Sequence, residues 1–249
     1  SGRLKESQIS AMNTLNSSFQ TQVDSAIRNL DAVSLNINYS NQSKTILDNS
    51  FNLNISSDML SAMSDLFISL SGTELKADQV NLYDFSGYVL EAGISTIVKK
   101  TDGSKDEWIE AARELEGKKV LTPPYCTREY TKTATYDQWF ISLYRSFNNQ
   151  YKRGVGVIET AKQCKSVFKS IITYKKKNHE DAASIYVFDS NGDLIYPYDI
   201  SQEYKAALQP YYELTKGDDS ALTFISPLTG KTEYAAEAVS SYTGYTYLT

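Results

Sequence analysis

From Arg3 to Ser71 the chain holds neither Gly nor Pro, and apolar residues recur at Ile9, Met12, Leu15, Phe19, Val23, Ile27, Leu30, Val33 and Ile37. Steps of three and four keep them on one helical face, with Ser, Asn, Gln, Asp and Arg opposite. The spacing predicts a helix from about residue 5 to about residue 47, roughly 60 Å long at about 1.5 Å per residue. Asn36 and Asn38 are weak helix formers, so a shorter helix broken there is the other outcome the sequence allows. The long version outreaches a small domain. It must run beside two modules or pair with another chain, and its first part, where the stripe is cleanest, is the expected contact of a homodimer. A second helix is expected with Ser57 or Asp58 as its cap, Met59, Leu60, Met63, Leu66, Phe67 and Leu70 as its stripe, and Gly72 as its stop.

At Val80 the period changes. Val80 to Phe85 alternates like a strand, Ser86-Gly87 turns, and Tyr88 opens another extended run. A short helix is expected from Trp108 to Glu116, then the Val120-Leu121 strand and an extended bend at Pro123-Pro124. Trp139 to Phe147 and Gly154 to Thr160 read as a hairpin, followed by a helix from about Ala161 to Lys177. His179 to Asp181 reads as a linker. After it come a Ser184–Phe188 strand, a tight turn at Asp189–Asp193, a Leu194–Tyr196 return, a helix over about Ser201–Lys216 and strands at Ala221–Ser226, Glu233–Ser240 and Thr243–Thr249. Short hairpins make each unit mainly antiparallel. The expected fold class is therefore α+β: a helical segment over 1–77, a first α+β module over 78–181 and a smaller one over 182–249.

Composition narrows the job. Of 249 residues, 41% are hydrophobic and 22% charged, which excludes wholesale disorder. A formal net charge of −5 argues against nucleic acid as a partner. No run approaches the roughly 18 apolar residues of a membrane span, and no basic-then-apolar leader is present. The start Ser1-Gly2-Arg3, without Met, is expected of a piece of something longer. One His and two Cys cannot supply four His/Cys ligands for a structural zinc site. Cys126 and Cys164 are open to two readings, a bridge or two separate buried thiols.

Enzyme signatures are missing: no phosphate-binding G-x-x-x-x-G-K-[ST], no G-x-G-x-x-G and no G-x-S-x-G. His179 lies in a polar connector, and Asp189–Asp193 lacks the frame of a calcium loop. No catalytic residue, cofactor or metal is expected. The 19 Tyr are the outlying count, and several of them gather with both Trp between Val80 and Gly154: Tyr83, Trp108, Tyr125, Tyr130, Tyr136, Trp139, Tyr144 and Tyr151, with Arg128 and Arg145 among them. Flat rings carrying a polar tip suit a small-molecule pocket, and an Arg inside one would read a carboxylate bidentately.

The ordered elements resemble the extracytoplasmic double Cache sensor domain of bacterial transmembrane receptors, most like that of sensor histidine kinases from Gram-positive Clostridia. The resemblance rests on Ala32-Val33-Ser34-Leu35-Asn36 within the long helix and on Asp106 to Ala112 with Gly117 after it. It also rests on Phe140 to Phe147 followed by Gly156 to Glu159, and on Ile185 to Pro197. It implies two stacked PAS-like modules, a ligand in the membrane-distal one, and a terminal strand from Tyr242 to Thr249 feeding a membrane span outside this chain. It further implies an extracellular location and a kinase core elsewhere in the protein. Amino-acid-binding members carry an Arg where this chain has Asp106. Tyr125 matches the family's pocket Tyr, and the acidic residue for a ligand amine aligns near Glu159 or equally at Ala161. The expected ligand-binding residues are Tyr83, Trp108, Tyr125, Tyr144, Arg145 and Glu159, and the expected ligand is an amino acid or another small polar metabolite. A chemoreceptor or diguanylate cyclase carrying the same ectodomain, or a ligandless dimerisation module, is the alternative.

Overall fold

The computed structural model describes residues 2–40, 61, 64–69, 75–84, 86–130, 138–148 and 154–249. It forms two compact units, one of Ser1–Ser25 with Lys165–Thr249, the other of Ala26–Cys164. The expected segments 1–77, 78–181 and 182–249 placed their boundaries elsewhere, because the first helix is divided between the two units and does not stand apart.

That helix, α1, spans Gly2–Tyr39. Its apolar stripe faces inward as expected: Phe19, Val23, Ile27, Leu30, Val33 and Ile37 are buried, whereas Ile9, Met12 and Leu15 are half-buried. The helix ends about eight residues short of the expected stop, with the Ser40 N–H turning back to Ile37 O at 3.2 Å. The run Asn36-Ile-Asn-Tyr-Ser40 explains this, since Asn, Tyr, Ser and β-branched residues are weak helix formers. Residues 41–47 lie outside the described residues. So do Ser57, Asp58, Met59, Leu60, Met63, Leu70 and Gly72 of the expected second helix. Residues 64–69 are helical, with Leu66 and Phe67 buried.

The Ala26–Cys164 unit is built on a 7-stranded sheet. Its strands are β1 (Gln79–Asp84), β2 (Tyr88–Gly93), β3 (Ile97–Lys100), β4 (Val120–Leu121), β5 (Tyr125–Thr127), β6 (Gln138–Asn148) and β7 (Gly154–Gln163). The order is β3-β2-β1-β7-β6-β4, with β5 also on β6, and every pairing is antiparallel. The second half of α1 covers one face, where Thr160 Oγ1 donates to Leu30 O at 3.1 Å. On the other face lies α2 (Asp106–Glu114), whose Ala112 packs with Tyr83, Val89, Tyr144 and Val157. Strand β7 runs on through Ala161, where a helix was expected. Ala161 is buried in its ladder opposite Ser142, and burial on both sheet faces outweighs the helical preference of Ala. The helical stretch begins at Cys164 and is broken at Phe168 into α3 (Cys164–Val167) and α4 (Lys169–Asn178). Cys126 and Cys164 are not bridged to each other; Cys164 is buried, and Cys126, expected inside, is exposed.

The Ser1–Ser25/Lys165–Thr249 unit carries a 5-stranded sheet of order β10-β11-β12-β8-β9. Here β8 is Tyr186–Phe188, β9 Leu194–Tyr196, β10 Ala221–Ile225, β11 Thr232–Val239 and β12 Thr246–Leu248. The expected turn joins β8 to β9, Asp189 Oδ1 accepting the N–H groups of Asn191 at 2.9 Å and Asp193 at 3.0 Å. Helix α5 (Gln202–Leu208) is capped by Ser201 and passes into a 3₁₀ segment, Gln209–Leu214. Pro210 removes the donor that a continuous α-helix would need. The core is Phe188, Leu194, Leu208, Tyr211, Leu222, Ala235 and Leu248. The first half of α1 is tied to this sheet by Asn16 Nδ2, which donates to Ala236 O at 2.9 Å, and by Ser240 Oγ, which donates to Asp24 at 2.8 Å.

Gly156 is the tightest point of the larger sheet. A Cβ there would lie 2.1 Å from Tyr83 O and 2.7 Å from the Phe147 ring. Gly156→Ala should therefore destabilise the protein by about 1–3 kcal/mol, read as a lower urea midpoint at unchanged slope.

Candidate functional site

Strand alternation assembles the site. Antiparallel register sets Glu159 on β7 between Asn81 on β1 and Tyr144 on β6, and sets Tyr83 opposite Val157. Asn81, Tyr83, Ser142, Tyr144 and Glu159 therefore share the sheet face that α2 covers. Glu159 has no exposed surface. Its Oε1 accepts from Tyr83 OH at 2.6 Å, Asn81 Nδ2 at 2.8 Å and Lys105 Nζ at 3.1 Å. Its Oε2 accepts from Ser142 Oγ at 2.5 Å and Tyr125 OH at 3.1 Å. Burial alone would push this carboxyl up; the Lys105 ammonium and the bonds from Ser142, Tyr83 and Asn81 outweigh that and hold its pKa at about 2. Burial and then the Glu159 charge raise the hydroxyls of Tyr83, Tyr125, Tyr130 and Tyr144 well above the usual phenol value.

Supporting contacts fix each donor. Gln79 Nε2 donates to Asn81 Oδ1 at 2.9 Å, which turns the Asn81 amino group toward Glu159 and toward Tyr130 OH at 2.8 Å. Lys105 enters from the N-cap of α2, after an Asp102–Ser104 turn in which Gly103 takes a positive φ of 81°. Its ammonium also meets Tyr130 OH and sits 4.9 Å from the Tyr130 ring centre. Two further acids lie nearby: Glu129, 3.5 Å from Lys105, and Glu91, 2.7 Å from Lys99. Burial raises the Glu91 carboxyl, and Lys99 offsets part of the rise. Beside this network opens a cavity of about 190 Å³, walled by Tyr83, Val89, the 99–106 loop, Ile109 and Glu129.

Of the six expected residues, Tyr83, Trp108, Tyr125, Tyr144 and Glu159 come together. Trp108 packs 5.2 Å from Tyr125 and 5.8 Å from Tyr144, centre to centre. Among these five only Tyr83 walls the cavity; behind it Tyr125 and Glu159 are hydrogen-bonded, with the Trp108 and Tyr144 rings packed beside them. Arg145 is not in the site. One step along β6 from Tyr144, it points to the opposite sheet face, where its guanidinium pairs with Asp31 and donates to Gly117 O and to Ser34 Oγ at 3.1 Å. Of the wider aromatic set, Tyr130 joins the network. Trp139 lies on β6 at an alternate position to Tyr144, Arg128 is exposed, and Tyr136 and Tyr151 lie outside the described residues. Asn81 and Ser142 were missed although each sits two residues before a chosen Tyr, on the same strand face. Lys105 gave no signal, because a Lys at a helix start reads as solvated.

No family model matches the chain and no curated protein matches it. Solved structures do. The ligand-binding domain of the Campylobacter jejuni chemoreceptor Tlp3, in complex with L-valine, superposes with a TM-score of 0.62 at 14% identity, over 99% of this chain and 93% of that one. The ligand-binding domain of the Pseudomonas aeruginosa amino acid chemoreceptor PctC, in complex with GABA, gives 0.62 at 7% identity, over 97% and 98%. A domain of a sensory box/GGDEF family protein from Vibrio parahaemolyticus gives 0.66 at 10% identity, over 98% and 95%. The fold is that of Cache-type, PAS-like sensory domains.

Glu159 makes stability pH-dependent in a defined window. Its folded pKa of about 2 lies below the ordinary 4.5, so its contribution is complete above about 4.5 and is lost as pH falls toward 2. Urea midpoints measured across that window should fall for the parent protein. Glu159→Gln should be less stable at neutral pH, and the gap between the two should narrow on acidification.

Proposed function

We propose that the chain is the extracellular ligand-sensing domain of a bacterial membrane receptor. It binds a small polar molecule, an amino acid or a comparable metabolite, in the Ala26–Cys164 unit. The observation that carries this is the cavity beside a fully buried, five-donor carboxylate, with Tyr83 in its wall and Lys105 at the junction of the two. A polar interior of this kind costs stability unless every member is satisfied, and it stands next to a space of about 190 Å³, smaller than the roughly 300–1,000 Å³ of drug-sized sites and matched to a compact ligand. The ligand enters through the 99–106 loop and competes with Lys105 for the carboxylates around it. The liganded arrangement then differs from the free one in where Lys105 and α2 sit, and a receptor responds only to such a difference. Helix α1, which contributes residues to both units, carries the change onward.

The receptor is read as a two-component sensor histidine kinase whose catalytic core lies outside this chain. It is a homodimer through α1, held in the cell membrane by spans outside the fragment. No described helix is long and apolar enough to cross a membrane. A second reading keeps the site and changes the output to a chemoreceptor or a diguanylate cyclase. The similarity to Tlp3, PctC and the GGDEF family protein favours it, and the coding sequence beyond Thr249 distinguishes the two.

Thermal melting against a panel of amino acids, GABA, small carboxylates and small amines tests the site. A true ligand at about a hundred times its Kd should raise the Tm by roughly 5–10 °C, and Ile109→Trp, which fills the cavity from its wall, should abolish the rise. No responder in the panel, or a rise that Ile109→Trp leaves unchanged, contradicts the proposal.

A further inference from the structure

The Ser1–Ser25/Lys165–Thr249 unit holds a second and larger cavity, of about 620 Å³, between the first half of α1 and the sheet face of β8, β10, β11 and β12. That volume lies within the range of small-molecule sites, roughly 300–1,000 Å³. Met12 and Leu15 of α1 form one wall, and Tyr186, Tyr211 and Phe224 face them. The three rings make a continuous aromatic surface, Tyr186 and Tyr211 being 4.8 Å apart and Tyr211 and Phe224 5.9 Å apart at 82°. The charged lining residues are Asp181 and Glu233; no Lys or Arg lines the cavity among the described residues. Glu233 is the register partner of Phe224 across β10 and β11, which puts carboxylate and ring side by side on one face. Tyr211 OH, 2.9 Å from Ser226 Oγ, reaches Glu233 Oε2 at 3.3 Å.

Electron-rich ring faces and two carboxylates attract a cation, and the apolar wall of α1 requires that the cation carry an apolar body. The rim shows the same preference internally, with Lys5 Nζ lying 4.4 Å above the centre of the Tyr234 ring. The site around Glu159 differs, because its lysines already neutralise most of its acids. We propose that this second cavity is a binding site for an aryl-alkyl ammonium compound, separate from the site around Glu159.

The test uses the unaltered protein with phenethylamine as the ammonium probe and 3-phenylpropionate as its anionic counterpart, titrated by calorimetry near neutral pH. Phenethylamine should bind roughly tenfold more tightly, the difference expected from a cation–π contact with a nearby carboxylate. Glu233→Gln should cost most of that margin, and Asp181→Asn, on an exposed turn that tolerates the change, a smaller part. Ile109→Trp, which blocks the cavity beside Glu159, should leave phenethylamine binding intact, which separates this outcome from failure of the Glu159 site. Three results overturn the proposal: equal binding of the two probes, no binding of phenethylamine at millimolar concentration, or competition between the probe and self-association, which would assign the groove to a second copy's helix.

Discussion

A carboxylate without exposed surface must recover inside the protein the solvation that it gave up, and in this chain Glu159 sets that requirement for everything around it. Five donors, four from three strands and one from the N-cap of α2, converge on its two oxygens. The strand register exists to deliver three of them: Asn81 and Tyr83 from β1, Ser142 from β6. Lys105 supplies the countercharge, and its approach depends on the turn before α2. Breaking one partner of such a buried pair typically costs about 3–5 kcal/mol. The sheet, the loop and the helix are thus coupled through one group.

The two faces of the larger sheet divide the labour. One is bound to α1 by apolar burial, by the Thr160 bond to Leu30 O and by the Arg145–Asp31 pair. The other encloses aromatic rings and the carboxylate network. Arg145 is therefore an anchor between sheet and long helix. Strand β6 carries both Tyr144 and Arg145 and so joins the carboxylate face to that anchor.

Much of this was legible in the sequence. Period 3.6 in α1 and period 2 in β1 and β6 are imposed by burial on one face, so the stripe from Phe19 to Ile37 and the alternation around Tyr83 and Tyr144 carried directly into the fold. The aromatic cluster was legible for the same reason. The errors came where local pattern meets long-range competition. Ala161 favours a helix locally but is claimed by the β7 ladder, and the Asn-rich stretch ends α1 at Tyr39, just past the last stripe residue, Ile37. Arg145 was placed by chemical suitability when strand parity already put it on the face opposite Tyr144. Applied consistently, the same parity would have found Asn81 and Ser142. Lys105 was beyond reach, since only the turn from Asp102 to Ser104 aims it inward.

Everything around Glu159 requires it to be ionised, satisfied and paired with Lys105. Its carboxyl carbon shift, followed by NMR on selectively labelled protein as pH is lowered, reads this directly. The shift should stay at its ionised value through the ordinary carboxylate range and move only near pH 2, and Lys105→Met should bring the transition upward. A titration near 4.5 in the parent protein, or one indifferent to Lys105→Met, would contradict it.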